Sequence, residues 1–212
     1  MQYRRFPLGG LWTNGYLFYD SHDGGGEAFF VDPGGDVGDV LDFLRGHGLT
    51  LNAVLLTHGH LDHIAGIGGM VPLVKDNIYV SPMDASMLRR PPEAMQMALG
   101  MKCDGVDAFR TAADGDVLSL GTFMVEVMET PGHTPGSVCY RIRRGGDEIL
   151  AAGDTLFAQS VGRTDLPGGD PAMLDASLLK LAALPDDLVV LPGHGPETTI
   201  GRERKSNPFW PR

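Results

Sequence analysis

The chain has 212 residues, 42% of them hydrophobic, which is enough to bury one core without disulfide help, so a single domain over residues 1–212 is expected. Lys and Arg number 17 against 27 Asp and Glu, a formal charge of −10 that repels nucleic acid and anionic membrane surfaces at long range. The start from Met1 to Pro7 lacks the apolar stretch of a secretory signal, and no window is apolar for long enough to span a bilayer, so a cytoplasmic protein with no nucleic-acid or membrane partner is expected.

In chain order, β-type runs at Tyr16–Tyr19 and Ala28–Val31 flank a turn-rich stretch from Ser21 to Gly26, which reads as a hairpin. Asn14 beside Gly15 reads as a turn residue. Asp32-Pro33-Gly34-Gly35 stops the second strand, and Val37, Val40, Leu41 and Leu44 then fall at helical spacing before Gly46 and Gly48. The continuous apolar run Ala53–Leu56 suits a strand buried on both faces, and it leads directly into Thr57-His58-Gly59-His60. A strand at Ile78–Val80 and a helix at Asp84–Arg89 follow. From Pro91 to Met101 the pattern assigns no element, and Met95, Met97 and Met101 read as adaptable packing.

Strands return at Val117–Leu120, Phe123–Met128, Ser137–Ile142 and Ile149–Ala152. A helix from Pro171 to Leu184 has Asp170 as its N-cap, because Pro171 occupies the favoured first helical position. A last apolar run spans Leu188–Leu191, and the tail from Gly201 is polar, with Phe209 and Trp210 able to pin it to the body. Two similar halves of strands and helices predict an α+β fold, two sheets face to face with helices outside, that is, a four-layer αββα sandwich. Cys103 and Cys139 are far apart with no C-x-x-C spacing and read as buried, idle thiols. His22 and His47 read as solvated.

The other five of the seven histidines fall in three short motifs at predicted strand ends: His58-Gly59-His60-Leu61-Asp62-His63, Thr130-Pro131-Gly132-His133-Thr134-Pro135-Gly136 and Pro192-Gly193-His194-Gly195-Pro196. Small residues let such loops turn sharply, and strand ends hold them rigidly, which suits a metal site. His58 and His60 can point the same way from an extended backbone, while Asp62 and His63 turn into a helix and face a neighbouring point, so one loop can serve two ions. Each ion needs about one further protein ligand and a shared oxygen, for which His133, Asp154 and His194 are the candidates. Thr57 and Thr134 adjoin these ligands and read as structural support. Imidazole and carboxylate suit zinc, iron or manganese without selecting strongly among them, and zinc is the default.

These motifs, together with Gly153-Asp154-Thr155 and in the same order, resemble the metallo-β-lactamase superfamily over nearly the whole chain. The resemblance implies that His58, His60 and His133 hold a first divalent ion, that Asp62, His63 and His194 hold a second, and that Asp154 bridges them. Lactam-hydrolysing members usually lack that bridging carboxylate, so antibiotic hydrolysis is not expected. The segment Gly153–Asp170 is similar to the small glyoxalase-II-like branch, which implies a hydrolase acting on a small-molecule thioester.

In that reading two cations supply a hydroxide at neutral pH for attack on the carbonyl, and a thiolate leaves with little acid assistance. Asp62 is also a candidate proton acceptor, so it and Asp154 are expected as catalytic groups. Arg163 falls where that branch has a cationic substrate contact, with Asp165 able to orient it. Glyoxalase II adds a C-terminal helical segment for glutathione, whereas this chain stops soon after His194, so its thiol carrier is left open. The rival activities are a mononuclear iron persulfide dioxygenase, which has a similar Gly162-Arg163-Thr164-Asp165 segment, a metal-dependent nuclease, which the acidic balance disfavours, and a non-catalytic binding module.

Overall fold

The computed structural model describes residues 1–22 and 25–211, and the side chain of His22 lies outside the description. One six-stranded sheet contains, in spatial and chain order, β1 (Gln2–Leu8), β2 (Thr13–His22), β3 (Gly25–Val31), β4 (Leu49–Leu55), β5 (Ile78–Val80) and β6 (Arg110–Thr111). Its first three strands are antiparallel, and β3 through β6 are parallel. A second sheet comprises β7 (Val117–Leu120), β8 (Phe123–Glu129), β9 (Val138–Arg144), β10 (Asp147–Gly153), β13 (Val189–Pro192) and β14 (Thr198–Thr199), in the spatial order β14-β13-β10-β9-β8-β7. Within it β10 and β13 are parallel, as a crossover requires. A small hairpin of β11 (Leu156–Phe157) and β12 (Ser160–Val161) stands apart.

The helices are α1 (Gly38–Gly46), α2 (Leu61–Ile64), α3 (Ile67–Val74), α4 (Ala85–Arg89), α5 (Glu93–Leu99), α6 (Pro171–Leu181) and α7 (Ile200–Ser206). Alternation along the strands explains why the apolar runs are continuous. Tyr16, Phe18, Phe29, Val31, Ala53 and Leu55 face Phe123, Val127, Tyr140 and Ile142 between the sheets. The intervening Leu17, Phe30 and Val54 face outward onto Val40 and Leu44 of α1 and Ile67 and Met70 of α3. On the far side Cys139, Leu150 and Ala152 meet Leu174, Leu178 and Leu181 of α6. Four layers result, as the sequence pattern predicts.

Several local expectations are corrected. Asn14 lies inside β2 and is buried, because the preceding Gln2–Leu8 forms a full strand and the turn falls earlier. α6 ends at Leu181 rather than Leu184. The stretch from Pro91 to Met101 contains α5, entered at Pro92 and closed by Gly100 at φ 63°, a left-handed C-cap that glycine accommodates. The polar tail from Gly201 begins within α7, and of the two aromatic residues expected to pin it Trp210 packs on the core while Phe209 is exposed. The expected loop tip at Asp23 and Gly24 lies outside the described residues. The Asp170 side chain accepts from Ala172 N and Met173 N, the expected cap. Both cysteines are buried, and His47 is exposed at the end of α1. Among the described residues no helix is long and apolar enough to cross a membrane.

The ring of Phe29 stacks on Phe18 at 5.0 Å and meets Phe123 edge-on at 5.3 Å, joining the two sheets. Phe29→Ala is expected to cost about 3–5 kcal/mol, seen as a lower urea midpoint at unchanged m-value. A loss below about 1 kcal/mol would show that this contact does not hold the sheets together.

Candidate metal centre

The C-terminal ends of β3, β4, β10 and β13 meet at one edge of the sandwich, the place where strand-end loops of parallel sheets present ligands. β4 leads to His58 and His60, β10 to Asp154 and β13 to His194, while β8 leads to His133. Backbone bonds staple the edge: Asn14 N donates to Gly193 O at 2.7 Å, Gly193 N to Gly153 O at 2.7 Å, and Val138 N to Thr57 O at 2.8 Å. Tyr16 Oη and Asn14 Nδ2 both donate to Pro192 O, and Asn14 Nδ2 also to Gly195 O. The loop carrying His194 is thereby fixed to the other sheet.

All seven candidate residues are brought together. Donor atoms of His58, His60 and His133 lie within 4.8 Å of one another, as do those of Asp62, His63 and His194, and those of His58, His63 and Asp154. His60 Nδ1 and His133 Nε2 are 2.9 Å apart, near the separation of about 3.3 Å that two nitrogens take around one tetrahedral zinc. The Asp154 carboxylate lies between the groups, with Oδ1 3.3 Å from His63 Nε2 and Oδ2 3.4 Å from His133 Nε2 and 3.7 Å from His194 Nε2. Asp62 Oδ2 is 3.2 Å from His194 Nε2. Gly193 permits this closeness, since a Cβ there would come within 2.2 Å of Asp154 Oδ1 and 2.7 Å of His63 Cε1.

The opposite ring nitrogens are held from behind. His133 Nδ1 donates to Arg163 O at 2.7 Å. His63 Nδ1 donates to Asp32 Oδ2 at 2.9 Å, and His58 Nδ1 lies 3.1 Å from Thr57 Oγ1, which itself donates to Asp32 Oδ2 at 2.6 Å. With Nδ1 carrying the proton, each Nε2 is left as a lone-pair donor towards the centre. His58 Nε2, His63 Nε2 and Asp154 Oδ1 are buried with no hydrogen-bond partner. Buried polar atoms are rarely left so, and two cations, one beside His58 and one beside His63 with Asp154 between, satisfy all three, so the residues fit a metal pair.

The electrostatics agree. Burial and the surrounding imidazoles, His63 first, hold His58 well below the ordinary histidine value, and burial with His133 pushes His60 down to about 4. Burial resists ionisation of Asp62 and Asp154, but the neighbouring histidines, His63 foremost, outweigh it and hold both carboxyls below the usual range. On His63 burial opposes the charge, and Asp154, Asp32 and Asp62 outweigh it, so its value is raised. Carboxylates and neutral imidazoles are the forms that bind divalent ions, so His58, His60, Asp62 and Asp154 are already in them, whereas His63 gives up a proton when an ion binds.

Two supporting residues escape sequence reasoning. Asp32 accepts from Thr57 N, Thr57 Oγ1 and His63 Nδ1 while held at φ 56°. Asp84 does not cap α4; its carboxylate accepts from Gly59 N, Thr134 Oγ1 and Gly136 N, tying the first histidine loop to the second. Thr57 and Thr134 are thus structural, as expected. Arg163 lies at the rim of a cleft of about 440 Å³ above the centre, fork-paired with Asp165 at 2.6 and 2.7 Å.

Asp32→Asn keeps a residue tolerant of positive φ but puts an amide donor against other donors. Divalent-metal affinity, measured by chelator competition, is expected to fall about 10–100-fold with the fold retained; unchanged affinity would remove Asp32 from the centre.

Residues 9–194 match the family model described as the metallo-beta-lactamase superfamily. The chain is 34% identical to hydroxyacylglutathione hydrolase GloC of Haemophilus influenzae, over 96% of this chain and 95% of GloC. Its structure is similar to the crystal structure of BLEG-1, described as a B3 metallo-beta-lactamase, at a TM-score of 0.89 and 38% identity over 99% of both chains. It is also similar to TTHA1623 in a di-iron-bound form, at a TM-score of 0.83 and 34% identity over 97% of this chain and 99% of that one. The fold, the order of the motifs and these likenesses agree: the chain belongs to the metallo-beta-lactamase superfamily.

Proposed function

We propose that this enzyme is a binuclear metal hydrolase that cleaves thioesters, with residues 1–212 working as one domain. His58, His60 and His133 hold one ion, Asp62, His63 and His194 the other, and Asp154 lies between them as the shared ligand. The observation that carries the reading is the set of buried, unpartnered donors, His58 Nε2, His63 Nε2 and Asp154 Oδ1, converging within one cluster. When bound, the ions supply a hydroxide near neutral pH and positive charge for a polarised carbonyl oxygen. Zinc is the default for this donor set, and the di-iron form of TTHA1623 supports iron as well.

The protein's own groups orient and move protons. Asp32 and the Arg163 carbonyl keep protons on the outer nitrogens of His63 and His133, so that their inner nitrogens stay free. Asp62 Oδ2 accepts from Thr13 Oγ1 at 3.2 Å and, being only partly covered, is the carboxylate placed to take a proton from the cleft. Arg163 at the rim is the group to contact the substrate's polar end. Cleavage of a thioester releases a thiolate, which leaves without a dedicated acid. The name of GloC supports a thioester substrate, and the small-molecule cleft agrees with it.

A second reading, an iron persulfide dioxygenase, is favoured by the Gly162-Arg163-Thr164-Asp165 segment, and the description of BLEG-1 brings a β-lactam into the assay as well. Metal analysis followed by turnover separates these readings. Two metal equivalents with cleavage of S-lactoylglutathione or simpler thioesters is the expected result, lost on chelation and restored by zinc or iron. His133→Ala is expected to lower kcat/KM by more than the roughly 10–100-fold cost of losing a supporting partner. A fully metallated sample that turns over no thioester contradicts the proposal, and a single iron with oxygen consumed on a persulfide replaces it.

A further inference from the structure

Above the candidate metal centre the cleft is walled by Leu11 from the β1–β2 turn, Met95 and Leu99 from α5, Phe157 and Val161 from the β11–β12 hairpin, and Leu166. Met95 and Leu99 are four residues apart and so share one face of α5. Leu11 is 46% exposed and the other wall residues are half-buried, Met95 and Leu99 resting on the core beneath, so the wall keeps apolar surface open to the cleft.

Lysine and arginine are scarce around it. Among the described residues lining the cleft Arg163 is the one Lys or Arg, so a ligand with more than one carboxylate meets a single cation there. The carboxylates and imidazoles at the floor belong to the metal cluster. A peptide thiol such as glutathione brings two carboxylates, of which Arg163 can pair one, and desolvating the unpaired charge is costly. A hydrocarbon chain meets no such cost and gains by covering apolar surface.

Resting on the thioesterase reading, we infer that this cleft selects uncharged aliphatic acyl thioesters over acylglutathiones, with Leu99 and Met95 setting the chain-length preference. The reaction consumes one water: a C–O bond forms, the C–S bond breaks, and the products are the fatty acid and the free thiol. Specificity then resides in α5 and the β11–β12 hairpin, while the chemistry stays with the centre.

The test uses the metal-loaded enzyme and acetyl, butanoyl and hexanoyl thioesters of N-acetylcysteamine, compared with S-lactoylglutathione. The expected result is that kcat/KM rises about fourfold per methylene, the worth of one buried CH₂ group, and exceeds that of S-lactoylglutathione at hexanoyl. Leu99→Ser flattens the series, and Leu99→Arg raises S-lactoylglutathione turnover relative to hexanoyl. A flat series in the unsubstituted enzyme, or S-lactoylglutathione as the best substrate, overturns the inference. Calorimetry with uncleavable thioethers reads the same preference without turnover: S-hexyl-N-acetylcysteamine is expected to bind more tightly than S-methylglutathione, and the reverse order overturns it. If no thioester is cleaved, the hydrolase reading fails, while the thioether affinities still decide what the cleft prefers.

Discussion

The Asp32 carboxylate is the contact on which the centre depends. One oxygen accepts from the Thr57 amide, and the other from the Thr57 hydroxyl and His63 Nδ1, so a single side chain at the end of β3 fixes two neighbouring imidazoles. Its backbone sits at φ 56°, a conformation of some cost for a residue with a side chain, which the hydrogen bonds offset. The result is a pair of inner nitrogens facing a carboxylate oxygen with nothing to bond. Each buried, unsatisfied group costs about 1–3 kcal/mol, a large fraction of the roughly 5–15 kcal/mol that a domain has. A fold that tolerates such groups is one in which a bound cation contributes to stability as well as to chemistry.

The sandwich makes this convergence feasible. Neither sheet carries the cluster alone: His58, His60, Asp62 and His63 follow the first sheet, and His133, Asp154 and His194 follow the second. The sheets are locked at this edge by Asn14, Tyr16 and Tyr140, whose side chains donate to backbone carbonyls at 2.8–3.0 Å. Asp84 adds a strap between the histidine loops, and Gly136 leaves room for it, since a Cβ there would lie 2.5 Å from the Asp84 carboxylate. Packing of Phe18, Phe29 and Phe123 therefore acts on the centre at a distance, through the position of the strands that end there.

Much of this was legible in the sequence, and for a physical reason. Runs that alternate between two buried faces are long and apolar, so β2, β3, β4, β9 and β10 announce themselves, and the histidine motifs are short enough to be recognised by type and spacing alone. The supporting groups were not. Asp32 before Pro33 reads as a strand stop, because its hydrogen bonds go to residues 25 and 31 positions away. Asn14 beside Gly15 imitates a turn, because the pairing of Gln2–Leu8 with β2 is a long-range fact that no local window contains. Pairs such as β6, β11 and β14 are two residues long and leave no periodicity to read. For α5, Pro92 and Gly100 bracket the helix, and the confusing signal is that none of its residues is fully buried. Its half-buried face, with Met95 and Leu99, lines the cleft.

The family relationship places the chain among metal-dependent proteins, and the His/Asp cluster supports the proposal of two ions held by seven side chains. Anomalous difference maps from crystals of the zinc- or iron-loaded protein test that account most directly. Two peaks are expected, one among His58, His60 and His133 and the other among Asp62, His63 and His194, with Asp154 between them. A lone peak, or none within the cluster, would contradict it.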